Sequence, residues 1–228
     1  MAHLLRLDSS ARPDGSVSRA ITGAFADAWS SVAGTSVTWR NLHNDSVPHL
    51  PHADLHCAPP LRPTGATISH RVEEFQLELV GELIGADVLL VGAPLYNYTL
   101  PSTLKAWLDH VHVLGMTAPF LELDTQPLAG RPAIVVSARG ATYDDDAGPA
   151  DHARPVLDAV LGGAMGMELT YIGADATLAD LVPAMAPLKE RAESERAAAL
   201  ATAAELGERL AREAVAAEGA AARGDGTS

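Results

Sequence analysis

The sequence predicts an α/β domain built on a doubly wound parallel sheet of five strands, in the order 2-1-3-4-5, with helices on both faces. Short apolar runs alternate with helical patterns along the chain. Two of those runs, "DVLLVGAP" (87–94) and "RPAIVVSA" (131–138), are continuously apolar, as strands covered on both faces must be. The 228 residues suffice for one domain with a full core and would be cramped as two.

The elements follow in order. "HLLRL" (3–7) reads as the first strand, and residues 16–29 as an amphipathic helix with Val17, Ala20, Ile21, Ala24 and Ala28 along one side. "SVTWRNL" (36–42) alternates as a second strand. A Pro- and His-rich segment (43–63) leads into a helix over 68–86, and the two apolar runs are strands three and four. Between them, Pro94 ends a strand by lacking a donor and Pro101 opens a helix whose core face carries Leu104, Trp107, Leu108 and Val111. "ELTYIGA" (168–174) is the fifth strand. Residues 1–186 are expected to form the domain, 187–218 an alanine-rich helix packed on or extending it, and 219–228 a flexible tail.

In such sheets ligands bind beyond the carboxyl ends of the strands. Three loops meet there. "DSSARPDGSVSR" (8–19) brings serines to a helix start, which suits either an anion or simple N-capping. "APLYNY" (93–98) places Tyr96, Asn97 and Tyr98 on the rim, either to stack and edge-bond a flat heteroaromatic ligand or to pack the loop. "SARGATYDDD" (137–146) offers Gly140 for close backbone approach and Tyr143 beside it; Asp144, Asp145 and Asp146 read as a solvated turn, so no metal is expected.

Composition removes other classes. Sixteen Lys+Arg against 29 Asp+Glu give a net charge of −13, which disfavours nucleic acid. No apolar stretch is long enough to span a bilayer, and the lone Cys57 fits a reducing cytoplasm. His49, His52 and His56 near Cys57 lack a zinc spacing. A Walker loop, a G-x-G-x-x-G turn and a G-x-S-x-G elbow are all absent.

Taken together, the three loops resemble those of the FMN-dependent NADH-azoreductase and NADH:quinone oxidoreductase family, of flavodoxin-like fold. The likeness covers roughly residues 1–175. It is carried by "SSARPDGSVSR", by "PLYNYTLPSTLKAWLDHV" against a P-M-Y-N-[FY]…P…L-K…D signature, and by "ARGATY" against S-R-G-G-x-Y. The resemblance implies FMN, with Ser10, Ser16, Val17 and Ser18 on its phosphate. Pro94, Leu95, Tyr96, Asn97, Tyr98, Ala138, Arg139, Gly140 and Ala141 would lie along its ring. It further implies NADH or NADPH as donor, a quinone or azo compound as acceptor, and ping-pong transfer. The expected assembly is a homodimer, with Tyr98, Phe120 and Tyr143 near the substrate. Leu95, Ala138 and Ala141 depart from the family's Met, Ser and Gly, and the alanine-rich helix is not explained by the likeness. A flavodoxin-type electron carrier and a reductase dedicated to one biosynthetic aromatic are the alternatives.

Overall fold

The computed structural model describes residues 1–65, 67–121, 123, 125–142 and 151–224, with side chains through residue 221. Five parallel strands, β1 (Ala2–Asp8), β2 (Thr35–Asn41), β3 (Val88–Pro94), β4 (Pro132–Ala138) and β5 (Glu168–Ala174), form one sheet in the order β2-β1-β3-β4-β5. That is the predicted flavodoxin-like order.

Period-two alternation divides the core between the two faces. On one face Leu5 and Leu7 of β1, Leu89 and Val91 of β3, and Ala133 and Val135 of β4 pack with α2 (His70–Gly85) and α3 (Ser102–Val111). On the other, Leu4, Val88, Leu90, Ile134 and Val136 pack with Ile21, Phe25 and Trp29 of α1 (Val17–Ser30). In α3, Leu104, Trp107, Leu108 and Val111 are all buried, as the pattern predicted.

The chain also forms an element that the pattern did not reveal. Residues Ala153–Leu157 make a short helix, α4, which runs on through a π-helical segment, Asp158–Ala164, before β5. Pro155 inside it and Gly162 and Gly163 at its end hide any helical periodicity. The alanine-rich helix α5 spans Lys189–Gly224, continuing past residue 218. Its Ala199, Ala203, Leu206, Leu210 and Ala211 are buried on the α1 face, so it completes the second layer.

The Pro- and His-rich segment folds as two short 3₁₀ turns, Ala53–His56 and Pro59–Leu61. It is pinned to the domain by polar contacts. The buried Gln76 amide donates to the carbonyls of Leu55 (2.8 Å) and His110 (3.0 Å), and His110 Nε2 lies 3.1 Å from the Pro48 carbonyl.

Candidate active site

β1, β3 and β4 are neighbours, so the loops that leave their carboxyl ends share one edge of the sheet. A cleft of about 320 Å³ opens there. It is lined by Ser10, Arg12, Ser16, Val17 and Ser18 of the first loop, Pro94, Leu95 and Tyr96 of the second, and Ala138 and Gly140 of the third. Thr177 and Leu178, from the connection after β5, complete the lining. The volume lies within the usual span of small-ligand sites, about 300–1,000 Å³.

The first loop is anchored from below. Asp8, the last residue of β1, is buried; its carboxylate accepts from Thr22 Oγ1 (2.6 Å) and Trp39 Nε1 (2.8 Å) and pairs with Arg6 (2.8 Å). Its charge is thus spent inside the fold. Gly92 on β3 leaves room for this carboxylate, since a Cβ there would come within 2.9 Å of Asp8 Oδ1. Ser9 Oγ donates to the Gly92 carbonyl (2.6 Å), which ties the loop's start to β3.

The helix start supplies the donors. Ser16 caps α1 by accepting from the Arg19 amide (3.3 Å), and Ser18 Oγ lies 3.3 Å from Ser16 Oγ. As the first residues of the helix, Val17 and Ser18 have amides without intrahelical acceptors. No acidic residue stands in that first turn to oppose an anion. N-capping and anion binding, left as alternatives by the sequence, are thus compatible here: Ser16 caps while the turn's amides remain available.

Tyr96 joins the second loop to the first. Its hydroxyl oxygen accepts from the Ala11 amide (3.1 Å) and shares a hydrogen bond with Ser10 Oγ (3.3 Å). Ser10 Oγ also accepts from the Arg12 amide (3.3 Å). With the Tyr96 proton directed to Ser10, the Ser10 hydroxyl can donate its own proton into the cleft. The Leu95 amide donates to the Ala138 carbonyl (2.9 Å), which fixes the second loop against β4.

Asn97 and Tyr98 do not reach this cleft. Tyr96 and Thr99 exchange two backbone hydrogen bonds (3.0 and 3.1 Å), which closes a two-residue turn with φ of 48° at Asn97 and 68° at Tyr98. Both central residues of such a turn take positive φ, easily for asparagine and at a cost for tyrosine. The turn carries both side chains outward, and Tyr98 is 61% exposed. Asn97 instead lines a neighbouring groove with Tyr96, Pro101 and Lys105.

The third loop divides likewise. Ala138 and Gly140 face the cleft, but Arg139 alternates to the other side of β4, where it pairs with Asp175 (2.5 Å) and Asp151 (3.6 Å). Ala141 is exposed and its carbonyl accepts from the Ala176 amide (3.2 Å). Phe120, on the long connection from α3 to β4, is 36% exposed and does not line the cleft. Tyr143, with Asp144, Asp145 and Asp146, lies outside the described residues. Among the described residues, no group of three or more His, Cys, Asp and Glu is placed to hold a metal.

Two walls went unread in the sequence. Thr177 and Leu178 reach the cleft because their amides donate to the carbonyls of Arg139 (3.0 Å) and Gly140 (3.2 Å). A Cβ at Gly140 would lie 2.8 Å from Leu178 Cδ1, so the glycine lets that side chain close the wall. Arg12 is the second omission. Among the described residues it is the one charged residue that lines the cleft, and the sequence signal was its place beside the helix start.

A parallel sheet in this order, with a ligand-sized cleft at its carboxyl edge that takes in the start of α1, defines the flavodoxin-like class. A family profile described as flavodoxin-like fold matches residues 2–204, and the chain belongs to that family; the match reaches into the first part of α5. Among its relatives is the FMN-dependent NADH:quinone oxidoreductase of Kineococcus radiotolerans, 50% identical over 213 residues, with 92% of this chain and 100% of the relative covered. The protein of the same name from Streptomyces coelicolor is 41% identical over 223 residues, covering 92% of this chain and 97% of its own. In structure the chain is similar to an FMN-dependent NADH-azoreductase from Bacillus anthracis solved in complex with FMN, with a TM-score of 0.73. That likeness, at 22% identity over 92% of this chain and 100% of the other, bears on the fold alone.

Proposed function

We propose that the protein is an FMN-dependent oxidoreductase that takes hydride from NADH or NADPH and delivers it to quinones or azo compounds. The observation that carries this reading is the cleft itself, with hydroxyls, free helix amides and a cation at one end and the flat wall of Leu95, Tyr96, Ala138 and Gly140 at the other. The relatives' names point to FMN, NADH and quinones.

The residues present fit the cofactor. Ser10, Ser16, Ser18 and the amides of Val17 and Ser18 would hold its phosphate, and Pro94, Leu95, Tyr96, Ala138 and Gly140 would border its ring. When bound, FMN supplies the hydride chemistry, so the chain is not required to furnish an acid–base pair. What the chain does is position and enclose. Arg19 and Tyr96 hold the first loop in place, while Leu178 covers one side and limits water. Donor and acceptor have one cleft to share, which calls for ping-pong kinetics.

The rest of the reading is narrower. The apolar Phe120, Leu121 and Leu123, exposed on the α3–β4 connection, support a homodimer in which that segment meets the second copy. The free Cys57 supports a cytoplasmic setting. Among the described residues, no helix is long and apolar enough to cross a membrane.

The test is steady-state oxidation of NADH by the FMN-loaded protein with a simple quinone. Parallel double-reciprocal lines support the shared cleft; intersecting lines refute it by requiring donor and acceptor together. Flavin that is bleached by NADH while neither a quinone nor an azo dye turns over would leave the dedicated reductase instead.

A further inference from the structure

The first loop carries two arginines, and the structure gives them different work. Arg19 is committed within the loop. Its Nη1 donates to the carbonyls of Arg12 (2.8 Å) and Pro13 (2.9 Å), and its Nη2 to that of Ser10 (2.9 Å). The Arg19 main chain is held in turn, since its carbonyl accepts from Arg6 Nη2 (3.2 Å) and Thr22 Oγ1 (3.1 Å). One planar fork thus organises three carbonyls of one turn, a task for which an ammonium group has the wrong shape. The Ala11 amide, on the opposite edge of the peptide from the Ser10 carbonyl, goes to Tyr96.

Arg12 is free by contrast. The residue lines the cleft, half-buried, and its guanidinium makes no hydrogen bond or ion pair among the described residues. The two acids nearest in sequence do not claim it. Asp8 is engaged by Arg6, Thr22 and Trp39, and Asp14 is exposed without an ion pair to Arg12. In a chain with 29 acids and 16 Lys+Arg, a partially desolvated arginine without a partner stands where an anion is expected. The capped start of α1, with its free amides, opens into the same cleft and supplies the other half of an anion site.

We infer that Arg12 is the side chain that selects a phosphorylated flavin over an unphosphorylated one, and that Arg19 is its positioning residue. This rests on the FMN reading above. The isoalloxazine ring is neutral and meets apolar and hydroxyl surface, so it has no need of a cation. The charge of Arg12 therefore acts on the phosphate alone, and its removal changes the preference between FMN and riboflavin rather than the affinity for flavin in general.

The experiment titrates purified protein with FMN and with riboflavin by fluorescence quenching, for wild type, Arg12→Gln, Arg12→Lys and Arg19→Lys, with thermal unfolding of each. Arg12→Gln is expected to weaken FMN by about 10- to 100-fold and leave riboflavin unchanged, the scale of one charge-assisted hydrogen bond. Arg12→Lys should keep most of the FMN preference. Arg19→Lys should lose it although the charge is retained, because the carbonyl fork is gone. An unchanged FMN affinity in Arg12→Gln overturns the assignment, as does an equal loss of both flavins, which would make the residue a support of the cleft. A wild-type protein that binds FMN and riboflavin equally overturns it too. A folded wild-type protein that binds neither refutes the proposed function instead.

Discussion

Gly207 sits on the buried side of α5, where a Cβ would lie 2.4 Å from the Phe25 carbonyl oxygen and 3.2 Å from the Phe25 Cα. The closest ordinary carbon-to-oxygen approach is about 3.3 Å, so Gly207→Ala must push α5 off α1 by up to about 0.9 Å. The obstacle is backbone inside a helix and cannot swing aside. Overpacking of this kind costs about 1–3 kcal/mol, against which alanine gains about 1 kcal/mol in helix propensity. The net loss is up to about 2 kcal/mol, or up to about 8 °C in Tm for a chain of this size. Gly81 in α2 is the control, because it is exposed and a Cβ there would meet nothing within 4 Å. Gly81→Ala should raise Tm by about 2–4 °C through propensity alone. Differential scanning calorimetry of the two variants provides the comparison. A Gly207→Ala protein stabilised as much as Gly81→Ala would mean that α5 is not seated on α1 in this close register.

Tyr96→Phe removes the acceptor of the Ala11 amide and a partner of Ser10, and should weaken FMN by about three- to tenfold with little change in Tm; an unchanged dissociation constant would deny the link between the loops a role in binding. Acid should loosen the fold through His110. Burial holds its imidazole below the ordinary value of 6.5, with His56 adding to the effect while the Pro48 carbonyl and Asp109 oppose it. The unfolded chain therefore takes the proton first, so this contribution is complete above the unfolded value and is lost as pH falls toward the folded one. His112, also lowered by burial and by His56, acts in the same sense. The urea midpoint should fall between about pH 7.5 and about pH 5.5, and less so in His110→Gln; an equal fall in both proteins would remove His110 from the account. Sedimentation at micromolar concentration should give a dimer, and Phe120→Asp should shift it toward monomer; a fully active wild-type monomer would contradict the proposed assembly.

The sheet was legible because buried parallel strands leave continuous apolar runs, and because Pro94 and Pro101 mark where β3 stops and α3 starts. The cleft was legible in its first loop and in half of the others. Leu95, Tyr96, Ala138 and Gly140 are among the residues that line the cleft. Asn97 and Tyr98 are not, since the sequence does not show that Tyr96 and Thr99 close a turn between them and rotate both side chains outward. Arg139 was assigned by its neighbours in the motif, yet strand alternation sends it across the sheet to Asp175. Thr177 and Leu178 carry no local signal at all. They arrive through hydrogen bonds to Arg139 and Gly140, with Ala176 at a φ of 52°, a contact between loops that no single segment encodes. The different work of Arg12 and Arg19 was equally hidden, because both are basic residues in one loop until the partners of each are known.

The most direct measurement of the central claim is a titration of flavin-free protein with FMN, followed by anaerobic addition of NADH. Saturation at one FMN per chain and bleaching of the bound flavin's visible absorption are predicted, with the colour restored on adding a quinone. A folded protein that takes up no FMN, or that binds it and leaves it oxidised by both NADH and NADPH, would contradict the account.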